Sequence, residues 1–374
     1  MTPKLMKGSP PTIGILGGGQ LGRMLALAGI PLGFRFRFLD PTPSPPAGEV
    51  GEVVRGEFDD PDALAAFAQG LALVTYEFEN VPVIAAERLA SFLPVFPPSA
   101  ALAMTQDRLV EKEGFRRLGI ETAPFLPVSS LDDLRQGIQA LGLPVILKTR
   151  RFGYDGKGQV VIREAEEIED AWKAMGESSA LILEGFVPFR REISILSVRG
   201  VGGETAHYPL TENEHQSGIL RRSRAPIPGI STGQEEEARR IATRVLDELG
   251  YVGVLAVELF ETEDGRLLAN EMAPRVHNSG HWTQNGATTC QFENHIRAIA
   301  GLPLGSTEAI GWSAMVNLLG DWPEPSKLLA LTGTFLHLYG KEPRPLRKVG
   351  HVNVRGGTQE ELEERIALVK SVLE

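Results

Sequence analysis

The chain has 374 residues, enough for two or three domains with ample core. Its 48 acidic and 38 basic residues give a formal charge of −10, which argues against a general nucleic-acid or membrane-surface binder. One cysteine excludes an internal disulfide and a cysteine-based zinc site, and no apolar run nears the roughly 20 residues needed to span a bilayer.

The opening stretch MTPKLMKGSPPT contains proline, and no signal-like apolar core follows it. The cytoplasm is the expected compartment. Thr12 to Leu16 reads as a short strand, Leu21 to Ala28 as a helix, and Phe34 to Leu39 as a strand ending at Asp40. Asp60 to Gln69 is helical, Leu71 to Thr75 a strand, and Val83 to Ser91 helical. This alternation predicts a parallel sheet covered by helices, with ligands at the carboxyl ends of its strands. Gly17 to Gly22 fits G-x-G-x-x-G, and Asp40 lies near the distance expected of a ribose-binding acid. A dinucleotide site and a tight strand-helix turn without ligand both fit. Glu77, after the third strand, either meets a ligand or is solvated.

A charge-rich helix, Gln106 to Leu118, reads as a connector. Arg108 lies in its first turn, where the dipole disfavours a cation, so an anionic partner or simple solvation is expected. A second α/β unit follows: helix Leu131–Leu141, strand Val145–Thr149, strand Gln159–Arg163, helix Ala165–Met175, strand Leu181–Glu184. Between its first two strands runs Arg150-Arg151-Phe152-Gly153-Tyr154-Asp155-Gly156-Lys157-Gly158. Three glycines let this backbone approach a phosphate, and the strand flanks make it a hairpin tip able to close like a lid. Lys148 ends the incoming strand. His215 sits in a polar stretch, where a lone histidine is more often structural than catalytic. Gln234 to Leu249 reads as an amphipathic helix. Cys290 is expected inside a helical run, Thr288 to Ala300, as a packed thiol.

Two apolar runs, Val254 to Phe260 and Arg266 to Met272, flank Asp264-Gly265, which predicts a two-residue hairpin turn. Counting outward from Glu263 opposite Arg266 sets Glu258 against Glu271, with Ala256, Phe260, Ala269 and Leu267 on their face. Val257, Leu259, Leu268 and Met272 fall on the other. Two opposed carboxylates on an apolar face repel, so one takes a proton or a hard cation such as Mg²⁺ sits between them. The alternative is a longer loop, a shifted register and a solvated edge. Near the C-terminus Lys341, Arg344, Arg347 and Lys348 cluster just before a strand and suit a phosphate monoester. Thr358 to Glu374 reads as a closing helix.

From Ile13 to Val354 the chain resembles the ATP-grasp superfamily. More closely, it resembles the N5-carboxyaminoimidazole ribonucleotide synthetases, biotin-independent carboxylating enzymes of purine biosynthesis. The resemblance is carried by GGGQLGRML, TYEFENVP, RFGYDGKGQ, PLTENEHQSGILRRS, NEMAPRVHNSGHWTQNGA and GKEPRPLRKVGH. It implies an N-terminal Rossmann-like α/β domain (1–110), a small mobile lid domain (111–190) and a C-terminal mixed-sheet domain (191–374). It implies ATP on Arg108, Lys148, the lid from Gly153 through Asp155, Lys157 and Gln159, Glu184-Gly185-Phe186-Val187, Glu192, His215 and Asn270-Glu271. Glu258 and Glu271 would hold Mg²⁺. The aminoimidazole ribonucleotide would lie near Gly19, Gln20, Leu21, Glu77, Tyr154, Arg275, His277, Asn278, Lys341, Arg347 and Lys348.

The implied reaction joins ATP, bicarbonate and 5-aminoimidazole ribonucleotide through carboxyphosphate, in a homodimer, with no role for NAD, biotin, nucleic acid or membrane. Lys148 would neutralise charge, Arg275 would hold the bicarbonate or carboxyphosphate, and Tyr154 would meet the substrate on lid closure. An NAD oxidoreductase and a non-catalytic nucleotide sensor are the competing classes.

Overall fold

The computed structural model describes residues 10–153, 156–176 and 180–373. Strands β1 (Thr12–Leu16), β2 (Arg35–Asp40), β3 (Glu52–Arg55) and β4 (Leu71–Tyr76) form a parallel sheet ordered β3-β2-β1-β4. Helices Gln20–Gly29, Pro61–Ala68 and Val83–Ala90 cover it, close to the expected bounds. Edge strand β3 has no counterpart in the sequence reading. It is four residues long, charged at both ends and nowhere fully buried, so no apolar period announces it.

Strands β5 (Phe125–Val128), β6 (Val145–Thr149), β7 (Gln159–Ile162) and β8 (Leu181–Gly185) form an antiparallel sheet ordered β5-β8-β6-β7. Helix Leu131–Leu141 is capped by Ser130, whose hydroxyl accepts the Asp133 amide at 3.0 Å, and packs Leu134 and Ile138 onto Leu147 and Leu183. The β6–β7 hairpin carries the glycine-rich loop, with Lys148 opposite Gln159 at its base.

The third sheet holds β9 (Phe189–Arg199), β10 (Thr205–His207), β11 (Thr211–Gln216), β12 (Ile219–Ala225), β13 (Gly253–Thr262), β14 (Leu267–Ala273), β15 (Trp312–Leu319), β16 (Thr334–Leu338) and β17 (Lys348–Gly356). Its path is β14-β13-β9-β11-β12-β15-β17-β16, with β10 paired to β9. Every ladder is antiparallel, and a parallel bridge from Thr122 to Ala269 makes the sheet mixed only at its edge. Leu255, Val257 and Leu259 pack under helix Thr232–Glu248. On the opposite face Val254 and Ala256 share a core with helices Gln291–Ile299 and Gln20–Gly29, which locks the N-terminal unit against the large sheet. Each such side chain contributes roughly 1.5–3 kcal/mol when fully buried. Cys290 is not inside the helix but caps it, its Sγ accepting the Glu293 amide at 3.5 Å.

The β13–β14 hairpin departs from the expected turn and still delivers the expected pair. Thr262 N donates to Arg266 O at 3.0 Å and Gly265 N to Thr262 O at 2.9 Å, so the loop is Glu263-Asp264-Gly265, with Gly265 at φ +82°. One extra loop residue shifts the register, and Leu259 faces Ala269. A bulge at Asn270 shifts it back, and Glu258 faces Glu271. The bulge also exchanges faces: Leu267 and Ala269 join Val257 and Leu259, while Leu268 lies with Phe260 on the glutamate side.

Candidate active site

A cavity opens where the glutamate face of β13–β14, the loop after β14, helices Gln20–Gly29 and Arg108–Arg117, and the base of the glycine-rich loop meet. Glu258, Glu271 and Glu111 lie on its wall with Arg108, Arg275 and Lys348. Gln20, Leu21, Gly153, His215, His277 and Asn278 line it too, so eleven of the expected site residues share one space, while Lys148, Glu184, Glu192, Glu77, Lys341 and Arg347 do not line it. The Glu258 carboxyl is pushed above the ordinary range, first by burial and then by the charge of Glu271 across the ladder. Glu111 is raised for the same two reasons, although its Oε1 accepts the Met272 amide at 2.8 Å. His277 Nε2 lies 3.1 Å from Glu258 Oε1, and burial beside Arg275 holds that imidazole neutral.

Helix Arg108–Arg117 is no mere connector. Asp107 caps it by accepting the Leu109 amide at 3.0 Å, and Arg150 forks onto the same carboxylate at 2.9 and 2.7 Å. Arg108 is half-buried and donates to Thr149 O at 2.9 Å and Gly153 O at 3.2 Å, holding the base of the lid loop, and it pairs with no acid among the described residues. A Cβ on Gly153 would come within 2.4 Å of this guanidinium. One turn on, Lys112 is 1% exposed and pairs with Glu184 Oε2 at 3.3 Å, which Lys148 also reaches at 3.0 Å. Burial would raise Glu184, but Lys148 and Lys112 overcome it and lower its pKa to about 2.

On β8 beyond Glu184, the Gly185 amide donates to Pro124 O, Val187 packs with Ala123 and Leu268, and Phe186 is exposed. Glu192 Oε2 lies 2.7 Å from His215 Nδ1. Burial would lower His215, but Glu192 and Glu258 raise it, so it leans toward the charged form facing the glutamates. Gly156 abuts Ser217-Gly218, so the lid loop rests against the β11–β12 turn, and Lys157 follows it. Tyr154 and Asp155 lie outside the described residues.

In the first glycine motif the amides are occupied by the protein's own acids. Asp40 Oδ2 accepts the Gly18 amide at 2.7 Å. Glu77 accepts the amides of Gly19 and Gly22, the latter at 2.6 Å, at the start of helix Gln20–Gly29. A Cβ on Gly19 would sit 2.4 Å from Glu77 Oε1, which explains glycine there without any pyrophosphate. Glu77 is neither solvated nor free. Burial raises its pKa, the two amides and Lys341 oppose that, and Lys341 in turn is lowered by burial and by Arg347 and Lys348. Those three cations therefore sit close enough to repel, as in an anion site. Arg344 points elsewhere, 3.9 Å from Glu342.

Arg275 Nε donates to Glu79 Oε2 at 2.5 Å, and Asn278 exchanges amide hydrogen bonds with Asn317 at 3.1 and 2.7 Å. Glu79, Glu111 and Lys112 escaped the sequence reading. The one available signal was the i, i+3, i+4 spacing of Arg108, Glu111 and Lys112, which puts them on one helix face.

Three family models match consecutive stretches: a ribonucleotide synthetase preATP-grasp domain over 11–106, an ATP-grasp domain over 113–292, and a phosphoribosylaminoimidazole carboxylase C-terminal domain over 313–365. The fold and site are those of an ATP-grasp enzyme, an ATP-dependent ligase. An N5-carboxyaminoimidazole ribonucleotide synthase of Pseudomonas aeruginosa is 50% identical over 364 residues, 97% of this chain and 99% of its own. A crystal structure of the Thermus thermophilus synthetase superposes with a TM-score of 0.92 at 57% identity, covering 96% of this chain and 98% of that one. An Aspergillus clavatus synthase in complex with ADP and 5-aminoimidazole ribonucleotide superposes at 0.91 with 30% identity, covering 98% and 99%. The chain belongs to the N5-carboxyaminoimidazole ribonucleotide synthase family. Among the described residues no helix is long and apolar enough to cross a membrane.

Proposed function

We propose that the cavity is where ATP, bicarbonate and 5-aminoimidazole ribonucleotide meet, and that the chain joins the last two at the expense of the first, giving N5-carboxyaminoimidazole ribonucleotide, ADP and phosphate in purine biosynthesis. The observation that carries this is the half-buried cross-strand pair Glu258–Glu271 facing the cations Arg108, Arg275 and Lys348 across one cavity. Two opposed carboxylates, that of Glu258 raised by burial and by Glu271, are hard oxygen donors that fit Mg²⁺, which prefers a few carboxylates and completes its shell with water and phosphate. Such an ion would neutralise phosphate charge as it is transferred.

The remaining steps belong to the chain's own groups. Lys148, beside Glu184, provides a fixed ammonium on the nucleotide side, and the amides of the lid loop provide donors for phosphate. Bicarbonate attacks the γ-phosphoryl group, and the carboxyphosphate formed is labile in water, so the lid must exclude solvent. Arg275, braced by Glu79, holds that anion. The ribonucleotide phosphate rests on Lys341, Arg347 and Lys348, with the imidazole end toward Gln20 and Glu77. The ribonucleotide amine then attacks the activated carbonyl and phosphate leaves. Tyr154 closes over the substrate with the lid. We assign the N-terminal part (1–110) chiefly to the ribonucleotide, the middle (111–190) to the nucleotide, and the remainder to the cation and phosphate. The active form is assigned as a homodimer.

A coupled ADP-release assay tests the reading. ADP release that requires both bicarbonate and aminoimidazole ribonucleotide, with carboxylated product in equal amount, is expected. ADP release indifferent to both, or ATP binding without release, would instead mark a nucleotide sensor.

A further inference from the structure

Behind Glu258 runs a line of three buried serines and an asparagine, none of which lines the cavity. Ser194 stands directly opposite Glu258 in the β9–β13 ladder, and Asn213 stands opposite Ser223 in β11–β12. The Ser223 hydroxyl donates to Asn213 Oδ1 at 2.8 Å, and Asn213 Nδ2 donates to Ser194 Oγ at 3.1 Å. Ser194 donates to Ser279 Oγ at 2.8 Å, and Ser279 Oγ lies 2.8 Å from His277 Nδ1. The line ends where His277 Nε2 meets Glu258 Oε1 at 3.1 Å. The three serines are fully buried and Asn213 nearly so. Hydroxyls and amides in such a place cost stability unless bonded, and alanine would fill the same space without that demand.

The direction of the line is fixed by one group that cannot reverse. The Ser279 backbone amide also points at His277 Nδ1, at 3.3 Å. An amide nitrogen only donates, so Nδ1 accepts, and the proton of the neutral ring must reside on Nε2. Ser279 already accepts from Ser194, so its own hydroxyl proton turns to Nδ1 as well. The ring nitrogen left to carry the proton is the one 3.1 Å from Glu258 Oε1.

We propose that Ser223, Asn213, Ser194 and Ser279 are positioning residues that lock His277 as its Nε2–H tautomer and thereby fix the Glu258 carboxylate for the cation it shares with Glu271. The inference rests on the cation reading of the hairpin and deepens it.

Long-range ¹H–¹⁵N spectra of the unmutated, nucleotide-free chain, with His277→Asn for assignment, read the tautomer without any relay variant. A protonated Nε2 and bare Nδ1 are expected, and an Nδ1–H form or an averaged mixture would overturn the inference. In Ser194→Ala and Ser279→Ala, calorimetric titration with Mn²⁺ in the presence of ADP should show affinity lowered by about tenfold or more, as for other groups that orient a metal ligand. The His277 resonances should move toward an averaged pair. Unchanged affinity with unmoved resonances in both variants would overturn the relay alone. Failure of Mn²⁺ to bind even the unmutated chain would instead remove the cation reading, and this inference with it.

Discussion

Two glutamates on neighbouring sheets, one buried and one half-buried, show how one residue type is given opposite chemistry. Glu184 is surrounded by the ammoniums of Lys112 and Lys148, and its pKa falls to about 2 although burial pushes the other way. Glu258 faces Glu271, with Glu111 beyond it, and its pKa rises. The first has its charge balanced by protein ammoniums, although Glu184 Oε1 has no hydrogen-bond partner among the described residues. The second has only His215 and more distant cations to balance it, and a cation supplied from outside would complete it. The two glycine-rich loops repeat the contrast: the first is filled by Asp40 and Glu77, while the second leans on Arg108 and on the Ser217 turn across the cavity.

Removing one acid from each place should therefore break different properties. Glu271→Gln should lower turnover by about 10²–10³-fold, the scale of losing a main electrostatic partner of the transferred group. The metal-free chain should unfold at the same or higher denaturant concentration, because a buried repulsion has been relieved. A parallel loss of stability would mean the pair is structural.

Glu184→Gln should do the reverse first. Leaving two lysines without their carboxylate should cost about 3–5 kcal/mol at pH 7, read by urea unfolding. The sign with pH follows from a folded pKa of about 2 against an ordinary 4.5. The Glu184 contribution is complete above about pH 4.5 and disappears as the pH falls toward 2. The gap between parent and variant should close over that window, and a gap that widens there would contradict the assignment.

A third test adds what the glutamate pair lacks. Mg²⁺ with ADP at about a hundred times the dissociation constant should stabilise the parent by roughly 2.7 kcal/mol. The metal-dependent part of that gain should vanish in Glu258→Gln, and its persistence there would place the ion elsewhere. The smallest effect is expected at the filled loop. Gly19→Ala should cost about 1–3 kcal/mol by pushing Glu77 off its amides, the usual range for overpacking. Nicotinamide dinucleotide should not recover that loss in thermal unfolding.

Much of the fold was legible because its elements carry local signatures. Apolar runs bounded by Gly or Pro marked β1, β4, β6 and β13. The glutamate pair was reached by a count that erred twice, since the three-residue turn and the Asn270 bulge offset each other. A bulge leaves no periodic trace, so Leu267, Leu268 and Ala269 were each assigned to the wrong face. Glu77 was ambiguous because its partners, Gly19 and Gly22, lie 58 and 55 residues away. Lys112 and Glu111 looked like a solvated helix face, since burial of a charge is decided by what packs against it. Ser194 and Ser223 look like ordinary strand residues until four strands are laid side by side.

The claim on which the rest depends is that Glu258 and Glu271 share one divalent ion beneath the nucleotide phosphates. Diffraction from crystals grown with Mn²⁺ and ADP, collected at the manganese edge, tests it most directly. An anomalous peak bonded to both carboxylates and to a phosphate oxygen is the predicted result. A peak held by the nucleotide alone, with Glu258 and Glu271 touching no ion, would contradict it.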